Sequence, residues 1–196
     1  PARGRQIFFD HPTALTSIQA SIIFTFNISL WYSREFNTFK DYFRRHFLLP
    51  NVKLKGRTGA TDAKGWGIMR EILARRISPN LISEEARKLM IASSGGLLRG
   101  LISLGQFAAV NALGRGASKI EVEDVERAVS ELRNDFIAAL ESTDYALLAA
   151  RHADKQLSGD GAMQELLQTL ALLQYENGSA WCDIHPVVEA LLQERT

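Results

Sequence analysis

The 196-residue sequence holds one cysteine, Cys182. No disulfide can form within the chain, and a reducing, cytoplasmic setting is expected. Charge of one sign is not in excess either, since 23 Lys and Arg stand against 22 Asp and Glu. No whole-chain field therefore calls for nucleic acid or a lipid surface, and a basic function would have to come from a local cluster such as Arg44, Arg45 and His46. No apolar run reaches the roughly 18–20 residues of a membrane span. The best one, residues 21–32, is short and broken by Thr25, Asn27 and Ser29. The N-terminus lacks the apolar core and small-residue cleavage site of a secretory signal. It also lacks an initiator methionine, which is expected of a piece of a longer chain.

Complete catalytic or metal-binding patterns are missing too. His11, His46, His152 and His185 are scattered, and Cys182 with His185 supplies two potential ligands, which do not make a zinc site. A Cys–His dyad built on that pair is outweighed by a histidine facing a turn. Residues 59–65, GATDAKG, fail as a phosphate loop because Lys64 precedes a glycine and no Ser or Thr follows it. GRGAS follows a helical pattern where a dinucleotide loop would follow a strand, and it reads as a helix stop. IFFD is an apolar run ending in Asp10, but it lacks a following acidic residue and enters a proline turn.

Apolar residues make up 46% of the chain and charged ones 23%, the ordinary globular range. The first third predicts a short helix at about 13–19. A buried strand is expected over 21–30, then a helix carrying Phe36, Phe39, Tyr42, Phe43 and Phe47 with Ser33 as its cap, then a second strand over 48–54. After the glycine-rich 55–67 the pattern is helical almost throughout. Ser83 with Glu84 and Glu85 marks a good helix start. A long helix follows Val122, with Val125, Val129, Leu132, Phe136 and Leu140 as its stripe. The last segment reads as helix, a tight turn at Asn177–Gly178, a short strand and a helix opened by Pro186. The expected class is mainly α with a small β component.

The stretch SSGGLLRG, residues 93–100, stands out. Glycine ends a helix by turning left-handed, and a second glycine adds swing. Arg99 then falls in the first turn of the next helix, where the helix dipole disfavours a cation. The placement makes sense if an anion binds there, because backbone N–H groups and a guanidinium can share a phosphate. On local physics alone, an exposed arginine beside a turn is an equal reading.

Ser94, Gly95, Gly96 and Arg99, followed by an apolar helix and IEVEDVERAV, resemble the helical lid of AAA+-type P-loop ATPases, with a likeness to the origin-recognition and STAND branches. The resemblance implies that Arg99 is the sensor-2 residue that touches a γ-phosphate, with Gly95 and Gly96 as the pivot of the lid. It implies Thr25 or Asn27 as sensor 1. It also implies Arg44 or Arg45, and less so Arg34, as an arginine finger toward a neighbouring subunit. Residues 1–55 would be the C-terminal part of an α/β nucleotide-binding core, 56–157 the helical lid, and 158–196 a winged-helix-like tail. The tail's Trp181, Asp183, His185 and Pro186 match a W-x-D-x-H-P element of bacterial ATPases. Walker A and Walker B are absent, so ATP or ADP with Mg²⁺ is implied for the parent protein, and this chain alone is not expected to hydrolyse ATP.

The implied partners are the remainder of the ATPase core, further copies in a homo-oligomer, and a protein bound through the tail. Nucleic acid is not favoured, because residues 164–195 carry five acidic residues against Arg195. The competing reading is a helical adaptor that never contacts nucleotide, with Arg99 a solvated charge.

Overall fold

A computed structural model describes residues 6–43 and 45–195. It is 57% helix and 7% strand, which makes the chain mainly α with a small β component. Helix starts follow local capping chemistry. Asp62 accepts the Gly65 N–H at 2.8 Å and opens α1 (Ala63–Ala74), which buries Met69 and Leu73 one turn apart. Ser83 accepts the Ala86 N–H and opens α2 (Glu84–Ser93), with Glu84 and Glu85 in its first turn as the sequence suggests. The long α3 (Leu98–Gly114) buries Leu101, Leu104 and Ala108. A reciprocal box between Glu121 and Asp124 starts α4 (Val122–Ala139). These four helices enclose one apolar core. Met69, Met90 and Leu101 are fully buried within it, each worth about 1.5–3 kcal/mol of transfer free energy.

The long helix expected after Val122 is two helices. It stops at Ala139, and α5 (Asp144–Asp154) begins after a turn in which the Asp144 carboxylate accepts the Glu141 N–H at 2.9 Å. Glu141, Ser142 and Thr143 suit a turn better than a helix interior, because their side chains compete for backbone groups. Then come α6 (Gly161–Gln168), β1 (Leu172–Asn177), β2 (Ser179–Ile184) and α7 (Pro186–Gln193). The two strands pair antiparallel, Leu172 opposite Ile184 and Asn177 opposite Ser179, with Gly178 at φ 75° in the turn. Strand β1 replaces the helix expected to run on to Tyr175; Leu170, at φ 62°, ends the helical course before it. Phe136, Leu148, Met163, Leu167, Leu172 and Val188 form a second core, and Val129 and Leu132 of α4 pack against both.

The first third departs most from expectation. Neither 21–30 nor 48–54 is a strand. Residues 21–27 run without regular structure into a helical turn, Ile28–Trp31, and Ile23 is 93% exposed. Phe24 and Phe26 of the expected strand instead pack ring to ring with other aromatic residues of the first third. Phe8, Phe24, Phe26, Phe36 and Phe39 lie with centroids 5.6–6.1 Å apart. The expected helix after Ser33 is a turn of α-helix at Phe36–Phe39 and a 3₁₀ turn at Lys40–Tyr42, and the one at 13–19 is the five residues Pro12–Thr16. Segment 48–54 cannot build a ladder because its donors go to different elements: Asn51 N–H to Gln174 O and Val52 N–H to Gly96 O, both 3.1 Å. Pro50 has no N–H to give.

Candidate functional site

The glycine pair lies where the helical bundle, the tail and segment 48–54 meet. Ser94 ends α2, buried, with its hydroxyl donating to Ile91 O at 2.7 Å and accepting the Gly96 N–H at 3.2 Å. Gly95 and Gly96 then take φ of 60° and 82°, a region costly to any residue with a Cβ. Space forbids a side chain as well. A Cβ on Gly96 would lie 1.7 Å from Val52 O, and one on Gly95 would lie 2.6 Å from Leu173 Cδ1 and 2.8 Å from Pro186 Cδ. Tyr175 donates its hydroxyl to Gly95 O at 2.6 Å in a buried hydrogen bond. The joint is wedged and pinned from two sides, so the glycines serve close approach as much as swing.

Immediately after it, α3 starts at Leu98 with no side-chain cap, which leaves first-turn N–H groups for other acceptors. Arg99 is exposed in that turn and makes no ion pair or hydrogen bond among the described residues. It stands at the edge of a cavity of about 680 Å³ whose walls include Leu104, Phe107, Leu132, Phe136 and His185. Glu131 and Asp135 line the same cavity. Two carboxylates to one guanidinium disfavour an anion deep inside and leave the α3 N-terminus as the place where one is stabilised.

His185 is 1% exposed and accepts the Val187 N–H on Nδ1 at 3.2 Å, capping α7. Burial pushes its pKa down to about 4, so the ring is neutral with its proton on Nε2. The rest of the W-x-D-x-H-P element has structural duties. Trp181 stacks on Tyr175 with centroids 4.7 Å apart, Asp183 binds Lys155 Nζ at 2.7 Å and His152 Nδ1 at 2.8 Å, and Pro186 opens α7. Cys182 is buried, donates to Gln156 O, and has its thiol pushed up to about 12 by burial, so it forms no nucleophilic dyad with His185.

A second cavity of about 180 Å³ shares the side chains of Leu97 and Leu170 with the first. Ile28, Leu49 and Leu172 are its other apolar walls, with Asn51 and Gln174 its polar ones. Gln174 is 3% exposed, yet neither Oε1 nor Nε2 has a hydrogen-bond partner among the described residues. No sequence signal marks it, since a glutamine between leucine and tyrosine carries no motif.

The other expected site residues do not gather here. Thr25 is exposed, and the Asn27 side chain accepts the Ser29 N–H at 2.9 Å as a helix cap; neither lines either of these two cavities. Arg34 and Arg45 are exposed on the first third, and Arg44 lies outside the described residues. Among the described residues, no three His, Cys, Asp or Glu side chains are grouped to hold a metal ion, and no helix is long and apolar enough to cross a membrane. Compared with known protein families, curated proteins and solved structures, the chain matches none.

Proposed function

We propose that this chain is the lid-bearing part of a cytoplasmic ATP-binding protein of the AAA+/STAND type, in which Arg99 senses a nucleotide phosphate at the start of α3. The observation that supports this is a helix N-terminus without a side-chain cap and an arginine unpaired among the described residues arriving together, directly after the buried glycine pair. In this reading residues 1–55 belong to the nucleotide-binding core, 56–157 to the lid and 158–196 to a winged-helix-like tail. Arg44 or Arg45 reaches a neighbouring subunit, and the tail engages a protein partner. The phosphate, held by guanidinium and backbone N–H groups, biases the lid toward one position. Mg²⁺ and the phosphate loop belong to the parent protein, so no hydrolytic step is assigned to this chain.

Equilibrium dialysis of the chain against inorganic tripolyphosphate tests the reading. Loss of one charge-assisted contact is worth about 1.5–3 kcal/mol, so Arg99→Ala weakens binding by about tenfold or more, while Arg76→Ala on the α1–α2 connection does not. Equal binding by wild type and Arg99→Ala refutes the sensor role.

A helical adaptor is the second reading. It is favoured by one specific feature: Phe107, Val110 and Leu113 on α3 are 52%, 64% and 73% exposed and follow one another at helical spacing. A partner that binds in the presence of Arg99→Ala but is lost with Val110→Asp supports the adaptor.

A further inference from the structure

We propose that the larger cavity, between α3, α4 and the start of α7, is a binding site for a small uncharged apolar molecule with one carbonyl oxygen, which accepts a hydrogen bond from the buried ring of His185. This goes beyond the phosphate reading and does not rest on it. The observation that carries it is a donor without an acceptor. His185 is 1% exposed, and its Nδ1 is engaged by the Val187 N–H at 3.2 Å. The ring proton therefore sits on Nε2, which makes no hydrogen bond among the described residues. Nε2 is nonetheless not sealed away as the Gln174 carboxamide is, and His185 lines the cavity. A buried N–H without a partner forfeits the hydrogen bond it made to water. An acceptor in the cavity restores it. A lone bridging water fits poorly, because it needs about two to four polar partners and the walls are mostly apolar.

The walls select the rest of the occupant. The volume of about 680 Å³ falls within the roughly 300–1,000 Å³ of small-molecule sites. Leu104, Phe107, Leu132 and Phe136 line it, and Phe136 lies against His185 with ring centroids 5.0 Å apart. A flat apolar body packs well on such surfaces. Charge works against an anion. Burial pulls the imidazole pKa down to about 4 and keeps the ring neutral at pH 7, so His185 offers a carboxylate a hydrogen bond but no opposite charge. Glu131 and Asp135 stand one turn apart on the α4 wall, exposed and without an ion pair or hydrogen bond among the described residues. Their two charges against the one of Arg99 leave the mouth net negative. A hydrocarbon would leave Nε2–H unpaired. An alcohol would accept from it but brings an O–H that needs an acceptor of its own in apolar surroundings. A ketone brings only the acceptor.

The test sets three phenyl compounds of like size against the whole chain: acetophenone, a ketone; ethylbenzene, which has no acceptor; and benzoate, an anion. The readout is the NMR signal of the His185 Nε2–H and of the Leu104 and Leu132 methyl groups. Acetophenone is expected to shift these signals saturably, and ethylbenzene and benzoate to bind about tenfold more weakly. His185→Asn keeps an acceptor for the Val187 N–H and lacks the ring donor, so acetophenone should bind it no better than ethylbenzene does. Should that variant fail to fold, the natural chain decides: acetophenone moves the Nε2–H signal and ethylbenzene does not. Equal affinity for acetophenone and ethylbenzene overturns the proposal and leaves an unselective apolar cavity. So does benzoate binding as tight as that of acetophenone, or no saturable shift at millimolar acetophenone. Tripolyphosphate is expected to leave the Nε2–H signal in place and acetophenone not to displace tripolyphosphate, so the two assignments fail separately.

Discussion

Replacing Gly96 by alanine measures how hard the wedge at the joint is. Two costs add. A residue with a Cβ at φ 82° loses about 1–2 kcal/mol relative to glycine. The new Cβ would stand 1.7 Å from Val52 O and 2.8 Å from its carbonyl carbon, and this neighbour is backbone, which cannot rotate aside. Segment 48–54 must retreat, and Val52 N–H loses Gly96 O, for about another 1 kcal/mol. The expected total is about 3 kcal/mol, a large part of the roughly 5–15 kcal/mol that holds a domain together. Gly95→Ala should cost less, because its Cβ meets the movable Leu173 side chain besides the Pro186 ring. Gly67→Ala is the control: it is exposed in α1 with nothing within 4 Å, and removing a helical glycine stabilises by about 0.5–1 kcal/mol. Urea denaturation at constant slope ranks the three variants. A Gly96→Ala chain within 1 kcal/mol of wild type would refute the wedge and restore the open joint suggested by the sequence.

Three further outcomes are expected. His185 has a folded pKa of about 4 against an ordinary 6.5, so between those values the unfolded chain binds a proton that the folded chain does not. Stability is intact above pH 6.5 and falls as pH drops toward 4, by up to about 3 kcal/mol; His185→Asn, which keeps a cap acceptor, should flatten that window, and an unchanged profile contradicts the burial argument. Tyr175→Phe should lower stability by about 1 kcal/mol by leaving Gly95 O unpaired, measurable by thermal melting; no change would show the bond to be dispensable. Arg115 grips the buried Asp124 carboxylate with two contacts of 2.8 Å and holds its pKa below the usual carboxylate range, so this support is lost in acid as the pH falls through the folded value. Asp124→Asn should therefore lower the melting temperature more than Glu123→Gln, whose carboxylate is 54% exposed; equal effects would contradict the assignment.

What the sequence disclosed was local. Ser83 with its two glutamates, the Asn177–Gly178 turn and the Pro186 helix start are signals contained within four residues, and each is realised. Strand patterning misleads in both directions because a strand needs a partner that composition does not reveal. Residues 21–27 are rich in Ile and Phe and find no ladder, while Leu172–Asn177 looked helical and pairs with Ser179–Ile184. The site was half legible. Arg99 and the glycines were visible because a misplaced charge and a positive φ leave marks in sequence. Gln174 was not, because its burial depends on a neighbour 123 residues away, Asn51, which donates to Gln174 O.

The lone cysteine has a practical consequence. Cys182 is buried at 0% exposure with its thiol pushed up to about 12, so maleimide reagents at neutral pH meet an almost silent background. Ser179 lies at the exposed tip of the hairpin, on the strand paired to the one that carries Gln174 and Tyr175. A cysteine placed there gives a single attachment point for a dye, on a part of the molecule that touches neither cavity, and natural Cys182 need not be removed first.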